Sequence, residues 1–271
     1  MKRLFIYLLL SAAALFASAP DAAAQHTLGV NFGIGSGSGG RFYPKQEMRS
    51  TWGLCSGGVS WRYYGPQRVI NGFGLDLEWL QQAYSYAPYA SLAEEGEELE
   101  WYTRRINSMV LPVVWQPHVY MFRHRLRLYG EAAATFFYNM SSTYENEIAR
   151  EQGVEPWEGT YEYKTARDNR FAYGLAFGGG LAVLFGQWEL NFRVRYYFGF
   201  GDILRNRNKY ADNGDDGAEN PFWNTPLRSP LDNLNISVGV AFRFNKEGFR
   251  EWTAPRRKRD KQMKSFNYKL D

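Results

Sequence analysis

Trp188-Glu189-Leu190-Asn191-Phe192-Arg193-Val194-Arg195-Tyr196-Tyr197-Phe198-Gly199-Phe200 places a large apolar residue at every second position for thirteen residues. Between them stand Glu189, Asn191, Arg193, Arg195, Tyr197 and Gly199. A period of two over that length is the signature of a β-strand with two unlike faces, because successive side chains of a strand point to opposite sides of the sheet. The same pattern returns at Leu234, Ile236, Val238, Val240, Phe242 and Phe244, with Asn235, Ser237, Gly239, Ala241 and Arg243 between. Phe171 to Phe185 carries large residues on one face and almost only Gly and Ala on the other. Shorter versions run over residues 28–34, 52–64, 73–82 and 126–138, and an eighth segment, 104–116, is apolar on both faces around Pro112, which leaves its inward side open.

Eight strands of this length suit a membrane crossing, which takes about 9 to 11 residues when the strand is tilted. A soluble barrel would turn the apolar face inward and show water the other one. For 171–185 that other face is Ala172, Gly174, Ala176, Gly178, Gly180, Ala182 and Leu184, which solvates poorly but suits a crowded lumen. The expected fold is therefore all-β, an eight-stranded antiparallel transmembrane β-barrel in the outer membrane. Connections fall into two classes: short ones at 65–68, 117–124 and 186–187, and long polar ones at 35–51, 83–103, 139–169 and 201–233. Short periplasmic turns alternating with long extracellular loops are the rule for such barrels.

Outside the barrel, residues 1–24 read as a cleaved signal peptide. Lys2 and Arg3 precede an apolar run from Leu4 to Ala19, and Ala22-Ala23-Ala24 offers the small residues of a cleavage site. Residues 25–244 form the barrel unit, and 245–271 a basic, disordered periplasmic tail with nine Lys/Arg against four Asp/Glu. The chain's +4 charge therefore resides in the tail, and the barrel unit is slightly acidic, so nucleic acid is not an expected partner. One cysteine, Cys55, excludes a disulfide scaffold, and no later run of 18 apolar residues allows a helical membrane span. Aromatic residues make up 17% of the chain at a mean hydropathy of only -0.48, the composition of strands with one greasy face.

Residues 106–115, Ile-Asn-Ser-Met-Val-Leu-Pro-Val-Val-Trp, resemble a strand motif of alternating apolar residues with a central proline. They are followed by a short turn and Leu128-Tyr129-Gly130-Glu131-Ala132. Val238 to Phe244 resembles the aromatic-ending strand that barrel-assembly machinery recognises. Over residues 25–244 the chain is similar to the small outer-membrane β-barrel domain common in Bacteroidetes envelopes, an OmpA-like porin family that includes PorT-like proteins. The chain departs from it in the 27 residues after Phe244. The resemblance implies an envelope component with a structural or secretion-accessory role; a small passive or gated porin and a barrel enzyme are the alternatives.

Candidate site residues follow from the inward faces. Asp76, Glu78, Arg127, Glu131, Glu189, Arg193, Arg195 and Arg243 should pair inside the lumen, because eight strands leave an interior that side chains fill. Trp61, Tyr63, Trp79, Trp115, Trp188 and Phe244 are candidates for an aromatic girdle near strand ends. Arg256, Arg257, Lys258 and Arg259 are candidates for contact with a periplasmic protein. Outer-membrane lipid and lipopolysaccharide are the expected surroundings. Glu94 to Glu100 reads as a solvated tip, and Tyr84, Tyr86 and Tyr89 as girdle or contact residues. The acidic run 212–219 lacks calcium-loop spacing, so no metal or cofactor is expected. His26, His118 and His124 all fall at the periplasmic end, away from the rim where a barrel hydrolase keeps its base, so no catalytic residues are assigned.

Overall fold

A computed structural model describes residues 25–43, 47–64, 72–87, 101–122, 125–153, 157–165, 168–205 and 228–244. Eight long strands carry the architecture: β1 (Gln25–Ser38), β3 (Thr51–Tyr64), β4 (Gly72–Ala87), β5 (Tyr102–Trp115), β7 (Leu126–Asn146), β9 (Phe171–Phe185), β10 (Trp188–Asp202) and β11 (Pro230–Arg243). Each pairs antiparallel with the next. The sheet closes because β1 also pairs with β11, in register from Thr27↔Arg243 to Ser38↔Asp232. No long strand is left with an unpaired edge, which is what allows a sheet to sit in hydrocarbon. Short strands β2 (Glu47–Arg49), β6 (His118–Met121) and β8 (Glu158–Thr160), and, among the described residues, one helix, α1 (Glu147–Gln152), decorate the ends.

The alternation reads out as expected. Leu28, Val30, Phe32 and Ile34 of β1, Phe192 and Val194 of β10, and Ile236, Val238 and Val240 of β11 all lie exposed on the outer face. Along β10 the outward apolar residues from Trp188 to Phe200 span about 40 Å of strand, or about 30 Å of membrane normal at a tilt of roughly 40°. No helix among the described residues is long and apolar enough to cross a membrane. The short connections form the periplasmic end and the long ones the extracellular end. Gly186 makes the tight β9–β10 turn possible with φ +62°, a backbone that a Cβ would strain.

Three differences from the sequence reading have physical causes. First, several strands outrun their apolar pattern at the extracellular end: β4 continues to Ala87 and β7 to Asn146. Beyond the apolar band β7 turns largely polar on both faces and β4 is buried on both, so the period of two fades while backbone pairing goes on. Second, the connection at 117–124 is not a bare turn: β6 pairs back onto β7 from His118↔Tyr129 to Met121↔Leu126. Third, the ambiguous strand β5 resolves with Arg104, Ile106, Ser108, Val110, Pro112 and Val114 buried inward. From Val110 to Val114 its lumen face is apolar because it packs against Leu80, Ala133, Phe137 and Ala176 rather than against the charges.

Candidate functional site

The lumen is the best-defined polar constellation, and it divides into layers. At mid-height Asp76 and Glu78 project from β4, Arg193, Arg195 and Tyr197 from β10, Glu131 from β7 and Arg62 from β3. Arg195 Nε donates to Glu131 Oε1 at 2.6 Å, its Nη2 to Asp76 Oδ2 at 2.9 Å and to Glu131 Oε2 at 3.0 Å, and its Nη1 to both oxygens of Glu78 at 3.3 Å. Arg193 Nη2 donates to Glu78 Oε1 at 2.6 Å, and its Nε to Ser237 Oγ at 3.1 Å. Arg62 forks onto both carboxylate oxygens of Asp76, one bond at 2.9 Å, and the Tyr197 hydroxyl donates to Glu78. In the closed ring of eight, β4 and β10 stand four strands apart, so the Asp76 and Glu78 bonds to Arg193 and Arg195 cross the diameter of the barrel.

Three carboxylates meet three guanidinium groups there, and none of the six residues is more than 6% exposed. Ions taken out of water must recover their solvation from partners, and multiply bonded Arg–carboxylate forks are the geometry that does so. The small residues of β9 make the room. Gly178 sits in register between Arg195 and Glu131, and Gly180 between Arg193 and Tyr129. A Cβ on Gly178 would collide with the Val194 carbonyl oxygen, and one on Gly180 would come within 2.6 Å of the Tyr129 hydroxyl.

Below this layer, at the periplasmic end, Arg127 Nη2 donates to Glu189 Oε1 at 2.8 Å, and its guanidinium lies 4.1 Å from the centre of the Tyr64 ring. Tyr64 donates to Gln116 Oε1 at 2.7 Å, and the His118 ring packs edge-on to Tyr64 and Tyr120. Arg243 donates to the Gly186 carbonyl of the β9–β10 turn. Above the charged layer, the extracellular end is closed by Phe42, Tyr84, Tyr86, Ile106, Ile203, Leu204 and Leu231, with Arg104 stacked 3.5 Å over Tyr161. Tyr84 and Tyr86 are thus lumen residues, not surface contacts.

Of the eight inward charges expected from the sequence, Asp76, Glu78, Glu131, Arg193 and Arg195 come together in one layer. Arg127 and Glu189 form a separate pair, and Arg243 is held by a turn carbonyl. Arg62 and Tyr64 are not singled out by the sequence, and Tyr197 stands there on the inward face of 188–200 with no partner assigned; Arg62 shares the inward face of β3 with small residues Ser56, Gly58 and Ser60, a parity that the alternation of 52–64 already contains. Among the girdle candidates, Trp61, Tyr63, Trp115, Trp188 and Phe244 all lie at the periplasmic ends of their strands. Trp79 does not: it is the eighth of sixteen residues of β4, paired with Gly57 and Met109 at mid-strand, because β4 extends well past the apolar stretch that had made it look terminal. Residues 1–24, Tyr89, Glu94 to Glu100, His124, 212–219 and Arg256, Arg257, Lys258 and Arg259 lie outside the described residues. Among the described residues no group of three His, Cys, Asp or Glu side chains is arranged to hold a metal ion.

A closed eight-stranded barrel with a greasy exterior and an ion-paired interior defines the class of small outer-membrane barrels. The chain belongs to the outer membrane protein beta-barrel domain family, whose sequence profile matches residues 21–205. Solved structures similar to it include a major outer membrane protein from Thermus thermophilus (14% identity, TM-score 0.38), Neisserial surface protein A (10%, 0.38) and Ail, the attachment invasion locus protein of Yersinia pestis (11%, 0.35). In each case the match covers 82% of this chain and 99% of the other. No curated protein sequence matches the chain.

Proposed function

We propose that this protein is a sealed, non-enzymatic outer-membrane barrel with a structural or secretion-accessory role, and that its work is done at its two ends rather than through its lumen. The observation that carries this is the set of Arg193 and Arg195 bonds to Asp76 and Glu78 across the full diameter, with a mainly apolar layer above and the Arg127–Glu189 layer below. A solute would have to break several buried ion pairs at once. The PorT-like form of the reading, in a Bacteroidetes envelope, is supported by the resemblance at residues 106–115 and 238–244. The basic tail after Phe244 departs from that family pattern; with an even strand count returning the chain to the periplasm, Arg256, Arg257, Lys258 and Arg259 are proposed to contact envelope proteins there. The export signal at 1–24 fits the same placement.

Planar-bilayer recording of the purified full chain separates this from a small porin. The sealed reading expects no stable open channel at low voltage; frequent ohmic openings would favour the porin. A second experiment addresses the tail. Deleting residues 245–271 is expected to leave a barrel that still migrates differently on gels before and after boiling, while a crosslinked periplasmic complex disappears.

A further inference from the structure

We propose that the extracellular rim carries a saccharide-binding pocket on its outer flank, between β5, β7, α1 and β8. The cavity has a volume of about 640 Å³, within the range of roughly 300 to 1,000 Å³ typical of small-molecule sites. Its floor is a flared extension of the sheet. Where β9 leaves β7, β8 takes over the pairing from Thr143↔Thr160 to Glu145↔Glu158, while β5 pairs Arg105↔Thr143 and Thr103↔Glu145 on the other side. Side chains of one parity therefore stand together in three adjacent rows: Thr103 and Arg105, Thr143 and Glu145, Glu158 and Thr160. Arg150 of α1 and Trp157 wall the pocket.

The chemistry of this lining selects the ligand class. Two guanidinium groups balance two carboxylates, so a bare anion gains little, while a ligand dense in hydroxyl groups finds both donors and acceptors. Thr143 and Thr160 add hydroxyls, while the Thr103 hydroxyl is bonded to Ser85, and the partly exposed Trp157 offers an aromatic face of the kind that stacks on a sugar ring's C–H surface. Glu145 and Glu158 face each other directly across the β7–β8 ladder, an arrangement that costs stability in a sheet. Arg105 and Arg150 both approach Glu145, whereas Glu158 has no ion pair among the described residues. Its carboxylate is thereby left to accept from a ligand.

Height decides where that ligand comes from. Below one polar row, in which Asn107 donates to Ser141, the outward residues turn apolar: Met109 and Leu111 on β5, Tyr138 and Phe136 on β7. The pocket thus opens at the surface of the apolar band, level with outer-leaflet headgroups and also reachable from solution. The shared chemistry is a saccharide, whether free or the head of a glycolipid.

Saturation-transfer difference spectra test this, using maltotriose, lactose and tri-N-acetylchitotriose against the full chain in phosphatidylcholine nanodiscs, with and without lipopolysaccharide. Transfer to at least one sugar is expected, falling about tenfold or more in Trp157→Ala and Glu158→Gln, each checked for an intact gel shift on boiling. Suppression of that signal by lipopolysaccharide identifies a glycolipid head as the occupant, and an undiminished signal identifies a free glycan. Two results overturn the proposal: no transfer to any sugar together with equal lipopolysaccharide retention by the parent chain and Trp157→Ala, or displacement of the sugars by inorganic phosphate at matching concentration. Because the pocket lies outside the lumen, conductance and sugar binding fail independently.

Discussion

The mid-height and periplasmic layers of the lumen are built from the same residue types and differ in how completely they are bonded. At mid-height, Arg195 alone contacts three carboxylates from two strands; Asp76 and Glu78 each have three partners, and Glu131 takes a two-bond fork from Arg195. At the periplasmic end Arg127 holds one carboxylate oxygen and otherwise rests on the Tyr64 ring, while Arg243 is held by a backbone carbonyl. The first arrangement behaves as one cooperative unit tied across the barrel; the second is a set of separate local contacts. A buried network that is fully satisfied specifies a single packing, and loss of any one member strands the others.

That contrast orders the expected effects of substitution. Arg195→Met removes the hub and leaves Asp76, Glu78 and Glu131 with a surplus of buried negative charge. It is expected to destabilise the barrel by about 3 to 5 kcal/mol, the usual penalty for breaking a buried ion pair from one side. Urea unfolding in lipid vesicles, followed by tryptophan emission, reads this directly, and a loss below about 1 kcal/mol would erase the distinction between the layers. Gly178→Ala and Arg127→Gln come next, with overlapping losses. The first adds one methyl group against the Val194 carbonyl and into the space beside Arg195, with an expected cost of about 1 to 3 kcal/mol from overpacking. Arg127→Gln at the periplasmic end trades one charge-assisted bond for a weaker one, at about 1.5 to 3 kcal/mol. Smallest of all, Trp79→Phe on the outer face at mid-strand trades one lipid-facing aromatic for another and should fall within about 0.5 kcal/mol of the parent. Equal losses for Arg195→Met and Arg127→Gln would mean that the two layers are energetically alike.

The outer face was legible in the sequence wherever lipid contact demanded large apolar residues, as on β10 and β11. The inward charges were legible too, by parity alone, but their partners were not. Which carboxylate an arginine meets depends on the stagger of strands around a closed ring, and Asp76 and Arg195 are separated by 119 residues. Arg62 was hidden because its neighbours on the inward face of β3 are small, so that strand lacked the contrast that marks β10. The rim was the least legible part. Above the membrane no solvent asymmetry imposes a period of two, and the continuation of β7 to Asn146 and its pairing with β8 are consequences of backbone hydrogen bonding. Asn146 itself illustrates this: it ends β7 and its side chain accepts from the Ala149 amide to cap α1.

The central claim is that β4 and β10 are held together across the lumen, and a double-mutant cycle between them tests it most directly. Glu78→Gln and Arg195→Gln would be measured singly and together by reversible urea unfolding in lipid vesicles. The account predicts that the double variant is less destabilised than the sum of the single variants by about 1 to 3 kcal/mol, the range for groups sharing one network. Additivity within about 0.5 kcal/mol would mean that the two strands do not communicate across the diameter, and would contradict the sealed barrel.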